Sequence, residues 1–385
     1  MPTVLDTIAT ATPPTREPQP QAAAFMQRIT SLPERLRARI PAIYRGTAID
    51  QRHSVIADFA KDDPDDFTFF PPTWSLEPAP STSDRNDKYR EAILPLTQRA
   101  ARQALAQSDT DAADITHVIG VSCTGFFAPG FDIHLVKELG LPPTTQRTFI
   151  GFMGCYAAFN ALRVAHSFCQ SQPDARVLIV CAELCTLHFQ VNDALETAVV
   201  NALFADGCAA AIVSQRNTVS TGALEYVDSH TTMDNDSMDH MTWDIGDTGF
   251  QMGLSSRVPR VIADHLPGYV DTLVPNEATI DFWAIHPGGR AIVDKAQEVL
   301  GLSDADVHDS LEVLRTYGNM SSPTILFVLK RMLEQGPQTG THGVAMAFGP
   351  GLTIEGALWK WGGKDVGVDV WRCEREKRPF PHEAD

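Results

Sequence analysis

The strongest constraint on the fold is a repeated alternation of short apolar runs with longer segments of helical spacing. The run Arg176–Ala182 is almost continuously apolar, as strands are when both faces of a sheet are covered. Strands that alternate with helices in this way predict an α/β fold. Because the alternation occurs twice, we expect residues 1–218 to form an N-terminal half, residues 219–365 a C-terminal half around a shared core, and residues 366–385 a charged tail.

Apolar periodicity and the positions of glycine and proline place the individual elements. The predicted strands are Ile8–Pro14, Ile115–Ser122, Arg176–Ala182, Gly207–Val213, Gly222–Asp228, Asp281–His286, Gly343–Phe348 and Leu352–Trp359, the last pairing back onto the strand before it. The predicted helices are Lys88–Ser108 with a kink at Pro95, Phe131–Leu139, Ala194–Leu203, Val258–Leu266, Gly289–Leu300 and Ser322–Gln335, and helical spacing over Ala22–Ile40 is interrupted by Pro33. We expect a loop at Asp62–Ser83 and an acidic excursion at Asp234–Asp247.

Composition narrows the class of protein. A chain of 385 residues, 43% of them hydrophobic, can bury a large core. No window of about eighteen apolar residues indicates a membrane span, and Met1–Asp6 lacks the features of a signal peptide. Seven cysteines, an odd number in a long chain, do not suggest a disulfide framework. We therefore expect a cytoplasmic protein.

The net charge of −17 argues against non-specific attraction to nucleic acid or to anionic membranes. One basic cluster near the start is the exception. It is either a solvated helix face or a phosphate-binding patch at the mouth of a cavity. Its members are Arg35, Arg37, Arg39, Arg45, Arg52 and His53.

The stretch Phe149–Ala165 carries a candidate nucleophile. A β-branched and aromatic run meets Gly151 and Gly154, then Cys155, then a run of good helix formers, which predicts strand, tight turn and helix. At or just before the helix N-terminus, unpaired N–H groups and the helix dipole favour a thiolate. The alternative is a buried cysteine that only fills space.

Three further motifs lie in the second half. His286 leaves an apolar strand next to a proline and two glycines, and Asn319 follows a glycine just before a helix that Ser321 or Ser322 can cap. The stretch Ala347–Thr353 contains a Gly-Pro-Gly loop between strands. Each motif alone fits a structural role. Together with Cys155 they supply a nucleophile, a proton partner and an amide donor.

Four motifs together resemble the type III polyketide synthases, the chalcone synthase-like family, over roughly residues 1–365. They are Gly151–Cys155, Ala284–Gly289, Tyr317–Ser322 and Phe348–Thr353. The resemblance implies a duplicated αβαβα thiolase fold, a homodimer, and a Cys-His-Asn site at the end of a tunnel for acyl-CoA and malonyl-CoA. It implies no metal and no bound cofactor.

The same resemblance assigns roles to the three residues. Cys155 would accept the acyl starter, and His286 would hold its thiolate in an ion pair that lowers the thiol pKa. His286 and Asn319 would then donate hydrogen bonds to the thioester oxygen of malonyl-CoA while carbon dioxide leaves. The resulting carbanion would attack the acyl-cysteine, and the extended chain would cyclise.

The resemblance also assigns residues to substrate binding. Phe204 matches the family's gatekeeper phenylalanine, His188 and Trp243 stand where plant chalcone synthases have threonine and glycine, and Arg39 and Arg45 loosely match the basic contacts to CoA. The assigned set is Phe204, Cys123, His188, Trp243, Met252, Ser321, Gly349, Gly351, Arg39 and Arg45. The altered lining resembles bacterial members, some of which use fatty acyl starters to make alkylpyrones or alkylresorcinols, and the stretch around Cys123 resembles bacterial tetrahydroxynaphthalene synthases.

Other functions remain open. A ketoacyl-ACP synthase III-like enzyme also uses Cys, His and Asn, but its His loop usually differs from Pro287–Gly289 and its carrier is acidic, which a charge of −17 disfavours. A non-catalytic scaffold would have no reason to keep all three residue types. Cys181, Cys185 and His188 supply three candidate zinc ligands without a matching second cluster, which argues against a metal site.

Overall fold

The computed structural model describes residues 1–217, 219, 222–275, 278–336 and 340–362, so the charged tail and the boundary at residue 218 lie outside the described residues. The strands are β1 Thr3–Ala11, β2 Thr15–Pro18, β3 Gln51–Ser54, β4 His117–Ser122, β5 Gln146–Gly151, β6 Arg176–Leu184, β7 Asp206–Gln215, β8 Leu224–Met233, β9 Met241–Gly246, β10 Gly249–Leu254, β11 Phe282–Ile285, β12 His342–Gly349 and β13 Thr353–Trp361. The helices are α1 Gln19–Arg28, α2 Glu34–Arg37, α3 Ile40–Gly46, α4 Thr82–Ala106, α5 Phe131–Leu139, α6 Ala157–Ser171, α7 Leu195–Leu203, α8 Val258–Leu273, α9 Arg290–Leu300, α10 Asp304–Tyr317 and α11 Thr324–Gln335.

A nine-stranded sheet in the order β11-β12-β13-β8-β1-β7-β6-β4-β5 organises the chain. Strands β4, β5 and β6 run parallel, as do β11 and β12, whereas β12 and β13 pair antiparallel from His342–Lys360 to Gly349–Thr353. The predicted return of the last strand onto its neighbour is therefore confirmed. A short antiparallel pairing of β1 with β8 joins the strands of the two halves.

Helices α6 and α11 form the middle layer of the molecule. Helix α6 contacts β6, β7 and β13, and α11 contacts β1, β7, β11 and β12, so both helices are covered by strands from each half. Helix α4 covers the outer face of β1, β6 and β7, and α8 covers β8 and β13. Three buried apolar clusters fill the spaces between these layers. The predicted α/β fold with a duplicated αβαβα layering is confirmed.

The structure differs from the predicted elements at helix starts. Helix α10 was not predicted, although Ser303 and Asp306 form a reciprocal capping box at its N-terminus. Helix α4 begins at Thr82, six residues before the predicted Lys88, and is capped in the same way by Ser81 and Asp84. These helices begin with polar residues, where apolar periodicity gives no signal.

The acidic segment Asp234–Asp247 forms part of a separate β-hairpin. A 3₁₀ turn at Asn235–His240 leads into β9, which pairs with β10 and with no other strand of the described ranges. This hairpin lies outside the main sheet and forms one side of the cavity described below. Among the residues that the structure describes, none of the helices is long and apolar enough to cross a lipid bilayer.

Candidate active site

Cys155 lies in the turn between β5 and α6. The 3₁₀ turn Gly154–Tyr156 presents its thiol to a cavity of about 290 Å³, and the side chain is otherwise buried. Gly154 has a φ of 76°, and a Cβ on it would lie 2.5 Å from Cδ of Pro350. Only glycine fits this turn, so the predicted strand, turn and helix around the nucleophile are confirmed.

Asn319 approaches the same sulfur from the segment between α10 and α11. Its Nδ2 lies 4.0 Å from Sγ of Cys155 and donates a hydrogen bond to the carbonyl oxygen of Gly288 at 3.1 Å. Its Oδ1 accepts a hydrogen bond from the N–H of Ser321 at 2.8 Å. Ser321 has a φ of 60°, a conformation that side chains seldom adopt and that keeps this N–H on the amide. The amide therefore has a fixed orientation.

His286 follows β11 in the loop that also supplies the carbonyl of Gly288. Its backbone N–H donates to the carbonyl oxygen of Met346 at 2.8 Å, and its side chain is 1% exposed. Neither ring nitrogen has a hydrogen-bond partner among the described residues. Buried polar groups without partners are rare, so this imidazole is a candidate for contact with a substrate or for proton transfer.

The electrostatics of the site contradict one expectation. Burial raises the pKa of the Cys155 thiol to about 11, against the opposing effect of hydrogen bonds involving Ser321 and Asn319. Burial alone lowers the pKa of His286 to about 3. The predicted lowering of the thiol pKa is therefore absent in this structure, because desolvation favours the neutral form of both groups.

Most of the predicted substrate-binding residues do line the cavity. Phe204 follows α7 at its C-terminal end, and Met252 and Trp243 lie on the hairpin. His286 and Asn319 are not among the residues that form the cavity wall. The predicted residues that do line it are Cys155, Phe204, Cys123, His188, Trp243, Met252 and Ser321.

His188 is a wall residue whose two ring nitrogens are both occupied. The N–H of Phe250 donates to Nδ1 at 2.9 Å, so Nε2 carries the proton and donates to the carbonyl oxygen of Thr124 at 2.7 Å. The imidazole also stacks on the Phe250 ring at a centroid distance of 4.2 Å. Burial lowers the pKa of His188 to about 3. This histidine therefore shapes the cavity as a neutral side chain.

Trp243 and Cys123 connect the hairpin to the nucleophile turn. Nε1 of Trp243 donates to the carbonyl oxygen of Cys123 at 2.8 Å. Sγ of Cys123 accepts a hydrogen bond from the N–H of Gly154 at 3.2 Å, next to Cys155. Burial raises the pKa of the Cys123 thiol well above its usual range. Cys123 therefore remains a neutral thiol in the cavity wall.

The four other predicted binding residues do not line the cavity. A Cβ on Gly349 would lie 2.6 Å from the Tyr156 ring, and Gly351 has a φ of 88°, so both glycines shape the turn that presents Pro350 to the cavity. Arg39 and Arg45 are exposed at the start and near the end of α3.

Sequence reasoning missed Glu183, which is fully buried at the end of β6. Its carboxylate accepts hydrogen bonds from the N–H of Cys123 at 2.9 Å, from Thr124 at 2.8 Å, from Ser122 at 3.4 Å and from Ser322 at 2.7 Å. Burial nevertheless raises the pKa of Glu183 to about 7. A carboxylate directly after the apolar run Arg176–Ala182 was the available signal. This residue joins the loops around Cys123 and Asn319.

The basic cluster divides in the structure. For Arg52 the alternative of a solvated helix face is wrong, because it lies on β3 with a buried side chain, and the alternative of a phosphate-binding patch stays a prediction. It lines the cavity together with the buried carboxyl of Glu17. Arg35 is exposed and 3.7 Å from Asp193. The basic cluster marked Arg52 in the sequence, but the burial of Arg52 and Glu17 at the cavity wall had no local sequence signal.

The three candidate zinc ligands do not all face the same space. Cys185 and His188 line the cavity, whereas Cys181 lies on β6 with its side chain in the buried core. Within the described ranges, no group of three or more His, Cys, Asp or Glu side chains is arranged to hold a metal ion.

Comparisons with known proteins extend over nearly the whole chain. The family described as chalcone and stilbene synthases matches with its N-terminal domain over residues 2–216 and its C-terminal domain over residues 226–361. The alpha-pyrone synthesis polyketide synthase-like Pks18 of Mycobacterium tuberculosis is 33% identical over 365 residues, which are 92% of this chain and 90% of that protein.

Solved structures show the same likeness. PKS-I of the brown alga Ectocarpus siliculosus has a TM-score of 0.86 at 33% identity and covers 94% of this chain and 98% of its own. The 1,3,6,8-tetrahydroxynaphthalene synthase of Streptomyces coelicolor has a TM-score of 0.81 at 27% identity, with coverage of 94% and 100%. The chain therefore belongs to the chalcone and stilbene synthase family and is a type III polyketide synthase, a condensing acyltransferase.

Proposed function

We propose that the protein loads an acyl-CoA starter on Cys155, extends it with malonyl-CoA by decarboxylative Claisen condensation, and cyclises the product. The observation that carries this proposal is the convergence of three separate segments. The turn before α6 supplies Cys155, the loop after β11 supplies His286 and holds the amide of Asn319 through Gly288, and Asn319 lies 4.0 Å from the sulfur.

Loading requires a proton acceptor because the Cys155 thiol is neutral. The imidazole of His286 is neutral, and its ring nitrogens have no hydrogen-bond partner among the described residues. Its unprotonated nitrogen takes the thiol proton while the sulfur attacks the starter thioester. CoA leaves as its thiol, and the acyl group remains on Cys155. The predicted ion pair of thiolate and imidazolium then forms only transiently, during this proton transfer.

Extension then uses His286 and Asn319 as hydrogen-bond donors. When malonyl-CoA loses carbon dioxide, negative charge develops on its thioester oxygen, and fixed N–H donors stabilise the enolate without reorganising. The fixed orientation of the Asn319 amide fits this role. The enolate carbon attacks the acyl-cysteine carbonyl, a carbon–carbon bond forms, and the Cys155 thiolate is released for the next cycle.

The cavity wall favours a fatty acyl starter. One part of the wall is apolar and comes from α1 and its surroundings, with ring centroids of Phe25 and Phe59 5.1 Å apart and those of Phe59 and Phe189 5.3 Å apart. Ala22 and Met26 extend the same surface. An alkyl chain buried there gains roughly 0.8 kcal/mol per methylene group. We propose a pyrone or resorcinol as the product.

A series of starter CoA esters of increasing chain length tests the proposal. With malonyl-CoA present, kcat/KM should rise by up to about fourfold per added methylene until the apolar region is filled. Ala22→Leu should shorten the preferred chain, whereas Ala24→Leu, on the same helix but not on the cavity wall, should not. An aromatic product from malonyl-CoA alone, unaffected by added acyl-CoA, would instead indicate the chemistry of a tetrahydroxynaphthalene synthase.

We also propose a homodimer formed through β5, which is an edge of the main sheet. Phe126, Phe149, Phe152 and Met153 expose an apolar patch beside this edge, and the Phe126 and Phe152 rings stack at 5.3 Å. Contiguous exposed apolar surface of this kind marks association sites. Light scattering should give twice the mass of one chain, and Phe149→Asp should yield monomers. An unchanged dimer in that variant would place the interface elsewhere.

Location and cofactor use complete the proposal. The six cysteines of the described ranges are free thiols, which fits a reducing compartment such as the cytoplasm. The proposed steps transfer protons, acyl groups and carbon dioxide only, so CoA thioesters suffice as reactants and no bound cofactor is needed.

A further inference from the structure

The C-terminal end of α7 meets the segment that carries Asn319. The N–H of Asn319 donates to the carbonyl oxygen of Leu203 at 2.9 Å, and the N–H of Ala205 donates to the carbonyl oxygen of Asn319 at 2.8 Å. Phe204 and Asn319 thus form a two-way backbone bridge. The position of the Asn319 backbone follows from where α7 ends.

Two buried side chains hold that helix end. Nη1 of Arg52 donates to the carbonyl oxygens of Asn201 at 2.6 Å and Phe204 at 2.7 Å. Nε2 of Gln19 donates to the carbonyl oxygen of Ala202 at 2.8 Å, and its Oε1 accepts from Nε of Arg52 at 3.0 Å. The last carbonyls of a helix have no partner within the helix, so these donors fix its terminus.

Arg52 also contacts the Asn319 segment directly. A Cβ on Gly318 would lie 3.0 Å from Cγ of Arg52 and equally close to the carbonyl oxygen of Leu203. The aliphatic part of the arginine side chain therefore packs against Gly318, the residue before Asn319, while its guanidinium holds the backbone carbonyls at the end of α7. Oε2 of Glu17 lies 3.6 Å from Nη2, and burial raises the pKa of this carboxyl to about 7 despite the nearby guanidinium.

We infer that Arg52 is a positioning residue for decarboxylation, because it fixes the end of α7 and, through the Phe204–Asn319 bridge, the place of the Asn319 amide. This inference rests on the donor role proposed for Asn319 in malonyl-CoA decarboxylation. The loading half-reaction uses Cys155 and His286. In the described structure neither has a hydrogen bond to Arg52, Gln19 or the α7 end, and the sulfur meets the Asn319 side chain only at 4.0 Å. Arg52 should therefore affect the two half-reactions unequally.

The test compares half-reactions in Arg52→Lys. Lysine keeps the positive charge beside Glu17, but its single ammonium group cannot replace the separate nitrogens of the guanidinium, of which Nη1 holds both carbonyls while Nε donates to Gln19. Release of carbon dioxide from malonyl-CoA should fall by about 10- to 100-fold, the cost of a misplaced catalytic group. Acylation of Cys155, followed by the intact mass of the protein, should fall by a smaller factor than decarboxylation, because Arg52 lines the cavity but has no hydrogen bond to Cys155 or His286 in the described structure. Gln19→Leu removes the hydrogen bond to the carbonyl oxygen of Ala202. Decarboxylation should again fall more than acylation, but by a smaller factor than in Arg52→Lys.

Arg85→Lys is the matched control. Arg85 is also a buried arginine whose guanidinium donates to backbone carbonyls, those of Leu187, Phe189 and Pro80, none of which belongs to α7 or the Asn319 segment. Any loss of activity in this variant should affect loading and decarboxylation in the same proportion. A selective loss of decarboxylation in Arg85→Lys would remove the special position assigned to Arg52.

Combination with Asn319→Ala separates the inference from the proposed function. If Arg52 acts through Asn319, Arg52→Lys should cause no further loss of decarboxylation when Asn319→Ala is already present. Equal fractional losses in both backgrounds, or a proportional loss of loading, would overturn the inference. Wild-type decarboxylation in Asn319→Ala alone would instead refute the donor role proposed for Asn319.

Discussion

Glu183 should make the stability of the protein depend on pH near neutrality. Its carboxyl is fully buried, and burial raises its pKa from 4.5 to about 7. Between these values the folded protein binds more protons at this site than the unfolded chain does, so the free energy of unfolding should fall as pH rises from about 4.5 to 7. A difference of about 2.5 pH units, at about 1.36 kcal/mol per unit, corresponds to roughly 3 kcal/mol.

Glu183→Gln isolates this contribution. The amide oxygen can still accept from Cys123 and Thr124, and the amide nitrogen can donate to the Ser322 hydroxyl, so the hydrogen-bond network persists without a titrating group. Urea unfolding followed by tryptophan fluorescence, at several pH values from 5 to 8, measures the difference between the two proteins. As pH rises from 5 to 8, the free energy of unfolding of Glu183→Gln should increase by about 2 to 3 kcal/mol relative to that of wild type.

The control for this experiment is Glu34→Gln, which makes the same chemical change at an exposed position. Its stability should follow the pH dependence of the wild type. Parallel curves for wild type and Glu183→Gln across the whole range would refute the reasoning, because they would mean that Glu183 titrates alike in the folded and unfolded states.

Three further outcomes are expected at the site. Cys155→Ala should abolish acylation from acyl-CoA, as seen by intact mass, and retained acylation would assign the nucleophile elsewhere. His286→Ala should slow release of carbon dioxide from malonyl-CoA by about 100-fold or more, and wild-type release should show no histidine titration between pH 5 and 8, because burial lowers the pKa of His286 to about 3. Trp243→Gly should enlarge the cavity and lengthen the polyketide found by mass spectrometry, and an unchanged product would show that this indole does not limit chain length.

The fold was predictable from sequence where burial and periodicity coincide. Strand β6 is covered on both faces, and its apolar run shows this directly. Helix α10 was missed because the signal at its start is a polar capping box, formed by Ser303 and Asp306, and not an apolar residue. The hairpin of β9 and β10 was seen only as an unusual acidic segment, because its pairing depends on contacts outside the main sheet.

The site residues that could be predicted are those whose role requires a particular residue type in a particular backbone conformation. Glycine at position 154 and an amide at position 319 are tied to local backbone geometry, so their sequence context marked them. Arg52 holds the backbone carbonyls of Asn201 and Phe204, and every residue has such a carbonyl. No sequence pattern near Arg52 or near the end of α7 therefore predicts this contact. The expected low thiol pKa of Cys155 failed for a related reason, since desolvation is set by the whole fold around the sulfur.

The hairpin has a consequence for how new products can arise in this enzyme. Among the described residues it pairs with no strand of the main sheet, and its side chains Trp243 and Met252 line the cavity, while the nucleophile turn and the amide segment belong to the layered framework. Substitutions in the hairpin away from the hydrogen bond between Trp243 and Cys123, such as at Met252, can therefore change the space in which a growing chain bends without moving the reacting groups. The size of the product can then change while the catalytic geometry is kept.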